Sequence, residues 1–273
     1  MNIYDENCAD WPANTEDIFL YTKYGKVHVL ACGSKENAPI LLFHAASMGA
    51  HSWAENLEPL LPHYRIYAVD NIGEANKSQL NDALVFPNSP KEIADFNADI
   101  ANQLGIEISP VLGSSNGGYI AQVYTYYYPE KVEKLALFGP MGITPLTPKS
   151  IFMLGFASMY PIQPVRDFVT KWAIGEDEYV NQKYGSWFNQ MMKATIPSVA
   201  QPVPMTTEQK QKIDLPVLLF LGTKDAIVGD AETAKELAQD YPNIEIEIIE
   251  SGHLIAVEKA KHVNKKLRKF LDL

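Results

Sequence analysis

The sequence predicts an α/β fold, built on a mostly parallel sheet that is covered by helices. Short apolar and β-branched runs alternate with longer amphipathic stretches, the order that parallel strands and their crossover helices produce. One apolar run, residues 108–112, leads through a glycine-rich turn into a helix-like segment, residues 119–128. The 273 residues, 47% of them hydrophobic and 21% charged, have ordinary globular composition and suffice for a substantial core.

The strands are predicted in order from the amino terminus. A hairpin opens the chain, with strands at residues 18–24 and 27–31 and a turn at Gly25. The later strands are short apolar runs, at residues 40–43, 66–69, 108–112, 132–138, 217–221 and 244–249. Residues 92–104 have helical periodicity and end at Gly105, a residue that suits a helix C-terminus.

Residues 140–214 differ in composition and are predicted to form an inserted helical cap, while residues 1–139 and 215–273 form the core domain. Eight of the 18 prolines and six of the eight methionines lie between residues 139 and 215. The apolar side chains of this segment suit the cap's own core. Adaptable methionines also suit a pocket that accepts varied apolar groups, and Met141 and Met191 are candidates for lining it.

Charge and cysteine content exclude several classes of function. The formal net charge of -10 disfavours binding to nucleic acid and to anionic membranes. The first seven residues have neither a basic start nor an apolar core, and no apolar run reaches membrane-spanning length, so we expect a cytoplasmic protein. Cys8 and Cys32 have no His or Cys at metal-ligand spacing, and we predict ordinary thiols and no metal site.

The glycine-rich turn predicts a catalytic serine. Its sequence is Gly113-Ser114-Ser115-Asn116-Gly117-Gly118. A serine at the centre of a tight strand-to-helix turn needs nearly side-chain-free positions two before and two after it, and only Ser115 has glycine at both. Centring the turn on Ser114 would put Leu112 and Asn116 at those crowded positions. A phosphate-binding loop is the alternative, but neither the P-loop nor the dinucleotide pattern occurs.

A serine nucleophile needs a general base, which should follow it in the chain. Only His253 and His262 come after Ser115. His253 lies in a loop just beyond the strand at 244–249, at the sheet edge where α/β proteins gather catalytic groups. His262 lies in a lysine-rich helical tail, where a surface role is expected. We therefore predict that His253 is the base.

The base in turn needs an orienting carboxylate. Asp225 comes just after the strand at 217–221 and is the leading candidate. Asp230 precedes a helical segment and is more typical of an N-cap, although loop geometry could reverse this order. Asp214 comes before its strand, so it should lie at the opposite end of the sheet.

Backbone N–H groups should stabilise the oxyanion. One is expected from Asn116, the residue after the nucleophile, and a second from Ala46, in the turn that follows the strand at 40–43. His44 is expected to shape this turn, and His44, Ala45 and His51 are candidates for lining the pocket, with a packing role equally open for His51.

The chain resembles the α/β-hydrolase superfamily over nearly its full length, on the elbow, the acid, the histidine and the cap. Residues 68–78, AVDNIGEANKS, resemble a longer version of the common Asp-x-x-Gly-x-Gly-x-Ser segment. With the cap length, this variant is similar to the carboxylesterase NP type of bacterial hydrolase. The resemblance implies an eight-stranded, mostly parallel sheet, a helical cap and ester hydrolysis without a cofactor. The common His-Gly turn is His44-Ala45 here, and Ser114 and Asn116 change the polarity beside the nucleophile.

These residues predict a serine carboxylesterase that cleaves a small-molecule ester with an apolar part through an acyl-enzyme. Lactonase, amidase, carbon–carbon hydrolase, perhydrolase and acyltransferase chemistry could use the same groups. A ligand-binding or signalling protein with slow turnover is the rival from another class. A homodimer is compatible with the sequence, which does not define the oligomeric state.

Overall fold

A mixed sheet forms the centre of the computed structural model, which describes residues 3–74, 76–159, 162–194 and 201–273. Its strands are β1 Glu16–Thr22, β2 Gly25–Cys32, β3 Ala38–Phe43, β4 Tyr64–Val69, β5 Gln79–Leu80, β6 Ser109–Ser114, β7 Val132–Phe138, β8 Val217–Gly222 and β9 Ile244–Ile249. Eight strands are paired in the order β1-β2-β4-β3-β6-β7-β8-β9, and the short β5 pairs with β2. Pairing is antiparallel at β1–β2 and β2–β4 and parallel from β4 to β9. The predicted eight-stranded, mostly parallel sheet is confirmed, with β5 as a small addition.

Helices cover both faces of this sheet. They are α1 Ile3–Asn7, α2 Pro90–Gln103, α3 Asn116–Tyr127, α4 Pro148–Met159, α5 Gln163–Ile174, α6 Glu178–Ala194, α7 Thr207–Gln211, α8 Ala231–Ala238, α9 Ile255–Glu258 and α10 Ala260–Phe270. Short 3-10 helices form at Ala50–Asn56 and Pro129–Lys131. In the part of the chain that is described, no helix is long and apolar enough to cross a bilayer.

Alternate residues of the central strands belong to two separate apolar cores. Leu42 and Leu218 belong to one buried cluster, while Leu41 and Leu219 belong to the other. This follows from strand geometry, because successive side chains point to opposite faces. Strands that are covered on both faces read as continuous apolar runs, which is why the sequence identified them.

Several predicted boundaries differ from the structure by one to three residues, and two of these differences lie beside glycines. The hairpin turn lies before Gly25, which opens β2 with a φ of +140°, and a Cβ there would lie 2.1 Å from the Gln79 carbonyl oxygen. Helix α3 begins at Asn116 rather than at Tyr119, so it starts directly after the central serine of the elbow. Both shifts arise because glycine is a poor marker of where a turn ends and an element begins.

Helices α4, α5 and α6 lie within the predicted cap, residues 140–214, of which residues 160–161 and 195–200 are outside the described part. Cap helix α6 packs on the core domain, because its Tyr184, Trp187 and Met191 share one buried cluster with Tyr4 and Trp53. Helix α7 is tied instead to the core domain, with Lys210 Nζ donating to the Leu237 carbonyl oxygen. The division into core and cap at residues 140 and 214 remains a prediction.

Candidate active site

The elbow between β6 and α3 holds Ser115 in a strained backbone conformation. Its φ of +52° and ψ of -116° are rare for a residue with a Cβ. A Cβ on Gly113 would lie 2.4 Å from the Gly117 carbonyl oxygen, and one on Gly117 would lie 2.1 Å from the Phe43 carbonyl oxygen. Only glycine fits at either flank, because backbone atoms leave no room for a side chain. This backbone conformation places the Ser115 side chain at the N-terminal end of helix α3.

Three predicted side chains form one hydrogen-bonded chain at the carboxyl edge of the sheet. Ser115 Oγ lies 2.7 Å from His253 Nε2, and His253 Nδ1 lies 2.8 Å from Asp225 Oδ2. Ser115, His253 and Asp225 expose only 4%, 3% and 4% of their surface, so the chain is shielded from bulk water. Burial strengthens each of these hydrogen bonds.

The surroundings of Asp225 determine which way the hydrogen bonds run. Its other oxygen, Oδ1, accepts N–H groups from Ile227 and Val228, each at 2.9 Å. With Oδ2 facing the imidazole, the carboxylate acts only as an acceptor, so His253 Nδ1–H donates to it. His253 Nε2 is then the acceptor for the Ser115 hydroxyl, which is the tautomer that general-base catalysis by histidine requires.

Two glycines and one glutamate hold this pair in place. A Cβ on Gly139 would lie 3.0 Å from Asp225 Oδ2 and 3.2 Å from the His253 carbonyl oxygen, so a larger residue would crowd both. On the histidine side, the N–H of Gly252 donates to Glu258 Oε2 at 2.8 Å. Sequence reasoning missed Gly139 and Glu258, because a glycine after a strand and a glutamate on a helix are both common.

The alternatives to these residues have other partners. Asp230 caps helix α8, accepting the N–H of Thr233 at 2.8 Å. His262 lies on the exposed tail helix α10, and its Nε2 is 2.5 Å from Glu247 Oε1 of strand β9. Asp214 lies before the start of β8, and its Oδ1 accepts a hydrogen bond from the side-chain amide of Asn243. None of these three hydrogen bonds involves Ser115 or His253, and the choice of Asp225 and His253 over these residues remains a prediction.

The turn after β3 lies against the elbow and carries Ala46. Among the hydrogen bonds of the described residues, the backbone N–H groups of Ala46 and Asn116 have no acceptor. The Asn116 N–H is also the first donor of α3, where the helix dipole favours negative charge. These two free donors fit the predicted oxyanion site, whose residues remain a prediction.

Two of the predicted pocket residues are fully buried. His44 is fully buried, with its Nε2 accepting the N–H of Asn71 at 2.9 Å and its Nδ1–H donating to the Ala45 carbonyl oxygen at 2.7 Å. His51 is also fully buried, among the rings of Tyr4, Tyr184 and Trp187. Lining roles for both remain predictions, because their position near a turn carries no information about burial. His44 shapes the turn, as expected.

The three other predicted pocket residues have different positions. Ala45 lines a cavity of about 10 Å³ with Ser114, roughly the space of one water. The N–H of Met141 donates to the Ser115 carbonyl oxygen at 3.0 Å, and the Met141 side chain is half-buried beside the elbow. Met191 packs in the cluster that joins cap and core. Lining roles for Met141 and Met191 remain predictions.

A larger cavity, of about 40 Å³, reaches Asn116 at the start of helix α3. It is lined by the side chains of Val69, Asn71, Ile72, Pro87, Ile93, Phe96, Asn97, Asn116, Tyr119 and Ile120. Its wall is mostly apolar, with three amides as the polar groups. No group of three or more His, Cys, Asp or Glu residues that could hold a metal occurs among the described residues.

Comparisons with known proteins agree with this geometry. A family model described as alpha/beta hydrolase fold matches residues 38–161. The uncharacterized carboxylesterase nap of Bacillus subtilis (strain 168) is 27% identical, over 98% of this chain and 91% of its own length. Carboxylesterase YbfK of the same organism is 24% identical, over 98% and 92%. The crystal structure of naproxen esterase (carboxylesterase NP) from Bacillus subtilis superposes with a TM-score of 0.89, at 25% identity, covering 98% of this chain and 95% of that one.

Proposed function

This chain is a member of the α/β-hydrolase superfamily that resembles the carboxylesterase NP-type bacterial serine hydrolases, and we propose that it is a serine carboxylesterase. The observation that carries the proposal is the buried hydrogen-bonded chain of Ser115, His253 and Asp225, together with two backbone N–H groups, of Ala46 and Asn116, that have no acceptor among the described residues. Relatives named as carboxylesterases over nearly the full chain support ester hydrolysis.

The geometry supports a two-step acyl transfer. Ser115 Oγ forms a bond to the ester carbonyl carbon while its proton passes to His253 Nε2, and Asp225 stabilises the imidazolium that results. The N–H groups of Asn116 and Ala46 hold the oxyanion. The bond to the alcohol oxygen then breaks as His253 returns the proton to it. Water, activated by the same histidine, releases the acid from the acyl-enzyme.

We further propose that the substrate is a small molecule with an apolar part. The cavities lined by Ser114 and by Asn116, the chain neighbours of Ser115, have mainly apolar walls. We also propose that the protein acts in the cytoplasm and assembles as a homodimer. Free thiols at Cys8 and Cys32 suit a reducing compartment, and sedimentation velocity on the purified protein tests the dimer.

The test compares Ser115→Ala with its neighbour Ser114→Ala as a matched control. On p-nitrophenyl esters of graded acyl length, Ser115→Ala should lose at least about 1,000-fold in kcat, the scale that follows removal of a triad serine. Ser114→Ala should keep most of the activity. A fluorophosphonate probe should label the wild type and Ser114→Ala, but not Ser115→Ala. Near-wild-type turnover by Ser115→Ala would refute the mechanism, and an unlabelled wild type would favour a binding role.

A further inference from the structure

The oxyanion turn contains a second strained residue, Ser47, directly after Ala46. Its φ of +60° is in the left-handed region, which a residue with a Cβ adopts at an energetic cost. Such a conformation persists only where surrounding contacts hold it. Ser47 is held at both of its backbone ends, by one residue from the core domain and one from the cap.

The core-side contact comes from Glu74, in the segment of residues 68–78. The N–H of Ser47 donates to Glu74 Oε2 at 2.5 Å, and the side-chain amide of Asn71 donates to Glu74 Oε1 at 3.3 Å. The same Asn71 amide donates to the His44 carbonyl oxygen at 3.1 Å. Glu74 and Asn71 together therefore bind the turn at two points, at Ser47 and at His44. Both Glu74 oxygens accept N–H groups, which suits the carboxylate form. Burial raises the pKa of Glu74 above its usual value, although these hydrogen bonds act in the opposite direction.

The cap-side contact comes from Trp187 on helix α6. Its indole N–H donates to the carbonyl oxygens of Ser47, at 3.0 Å, and Met48, at 3.1 Å. Trp187 is 2% exposed, and its ring packs edge-on against Tyr4 and His51. The N–H of Ser47 is therefore held by the core and its carbonyl oxygen by the cap.

We propose that Glu74 and Trp187 are positioning residues, which hold the oxyanion turn through the two ends of Ser47 so that the Ala46 N–H faces the reacting carbonyl oxygen. The inference rests on the proposed function and deepens it. It makes seating of cap helix α6 a condition for a complete oxyanion site, because the cap supplies one of the two holds. Neither residue touches substrate in this scheme, so both act through the backbone of the turn.

The consequence is a selective loss of transition-state stabilisation. Without one hold, Ser47 can relax toward an ordinary φ and carry the neighbouring Ala46 N–H away from the developing oxyanion. A misplacement of about 1 Å costs on the order of 100-fold in rate. The oxyanion donors act mainly in the transition state, so kcat should fall while KM stays nearly constant.

The test uses two substitutions, each with a matched control in a neighbouring contact between cap and core. Trp187→Phe removes the indole N–H and keeps an aromatic ring, while Tyr179→Phe removes a hydroxyl on the same helix that donates to Glu55. Glu74→Gln replaces one carboxylate oxygen by an amide N–H₂, which then faces one of the two N–H donors to this side chain. Glu55→Gln makes the same change in a carboxylate that accepts hydrogen bonds from Tyr179 and Lys183. On p-nitrophenyl butyrate, Trp187→Phe and Glu74→Gln should lose about 10-fold to 100-fold in kcat, with KM within about threefold. Both controls should stay within about twofold of the wild type.

Amide hydrogen exchange gives a readout that does not depend on turnover. Peptides covering residues 44–50 should exchange faster in Trp187→Phe and Glu74→Gln than in the wild type and both controls. Exchange and kcat that match the controls would overturn the inference, and so would a rise in KM at constant kcat. If Trp187→Phe does not fold, Glu74→Gln decides the question alone. A wild type inactive on all esters would refute the proposed function, and the exchange measurement would still decide whether the turn is held.

Discussion

Replacing His51 by phenylalanine should remove a specific acid sensitivity from the folded protein. The His51 ring is fully buried between α1 and cap helix α6, 4.6 Å from the Trp187 ring centroid and 5.2 Å from that of Tyr4. Neither ring nitrogen has a hydrogen-bond partner among the described residues. Desolvation lowers the pKa of His51 from 6.5 to about 3, opposed by Asp70 and helped by the charge of Lys183.

The size of the effect follows from proton linkage. A folded-state pKa below the unfolded one means that the neutral ring contributes stability above pH 6.5, which is lost as the pH falls from 6.5 toward about 3. Each pH unit within this interval costs about 1.4 kcal/mol. Between pH 7.5 and pH 5, His51 alone should therefore lower the free energy of unfolding by about 2 kcal/mol.

Urea denaturation at a series of pH values measures this quantity. The free energies of unfolding of the wild type and His51→Phe should move apart by about 2 kcal/mol between pH 7.5 and pH 5, in favour of the variant. Any packing defect of the phenylalanine adds a constant that does not change with pH. Tyr184→Phe, in the ring that stacks on His51, is the control, because burial raises the pKa of Tyr184 further above this range. Parallel wild-type and His51→Phe profiles would show that the buried ring is not neutral in the folded state.

Two further predictions concern the acid and the elbow. Asp225→Asn should lower kcat by about 1,000-fold to 10,000-fold, because an amide facing His253 Nδ1 favours the wrong tautomer. Its control, Asp230→Asn, should leave kcat near the wild-type value. Comparable losses in both variants would contradict the assignment of Asp225 as the orienting carboxylate. Gly117→Ala should destabilise the fold by at least about 2 kcal/mol in urea titrations, because its Cβ would lie 2.1 Å from the Phe43 carbonyl oxygen. Unchanged unfolding of Gly117→Ala would mean that the elbow has room for a side chain.

The elbow and its partners could be predicted because their physical causes are local or topological. The tight turn leaves no room for a side chain at positions 113 and 117, and both are glycine. This local pattern, five residues long, identified Ser115 before any other group. Asp225 and His253 followed from chain order, since loops after parallel strands meet at one edge of the sheet. The helix start at Asn116 was missed, because two glycines after the serine obscured the helical pattern.

The residues that support the site could not be predicted in the same way. Glu74 and Trp187 meet Ser47 across 27 and 140 positions of chain, and only the packed fold brings them together. The one available signal for Glu74 was its place in the segment 68–78, whose role the sequence did not reveal. The burial of His51 could not be predicted for a related reason, because a polar residue beside a turn does not reveal whether the fold exposes or buries it.

In the proposed mechanism, one short segment, residues 44–51, links the predicted cap to the chemistry. It contains Ala46, the proposed oxyanion donor, its Ser47 carbonyl oxygen accepts the Trp187 indole N–H, and it ends in the ring of His51 that packs against the same indole. Trp187 therefore contacts this segment by a hydrogen bond at one end and by ring packing at the other. A cap that only covered the site could move without affecting the oxyanion donors. In the proposed mechanism, movement of α6 breaks contacts that hold these donors, so the position of the predicted cap and completion of the oxyanion site are coupled through one side chain.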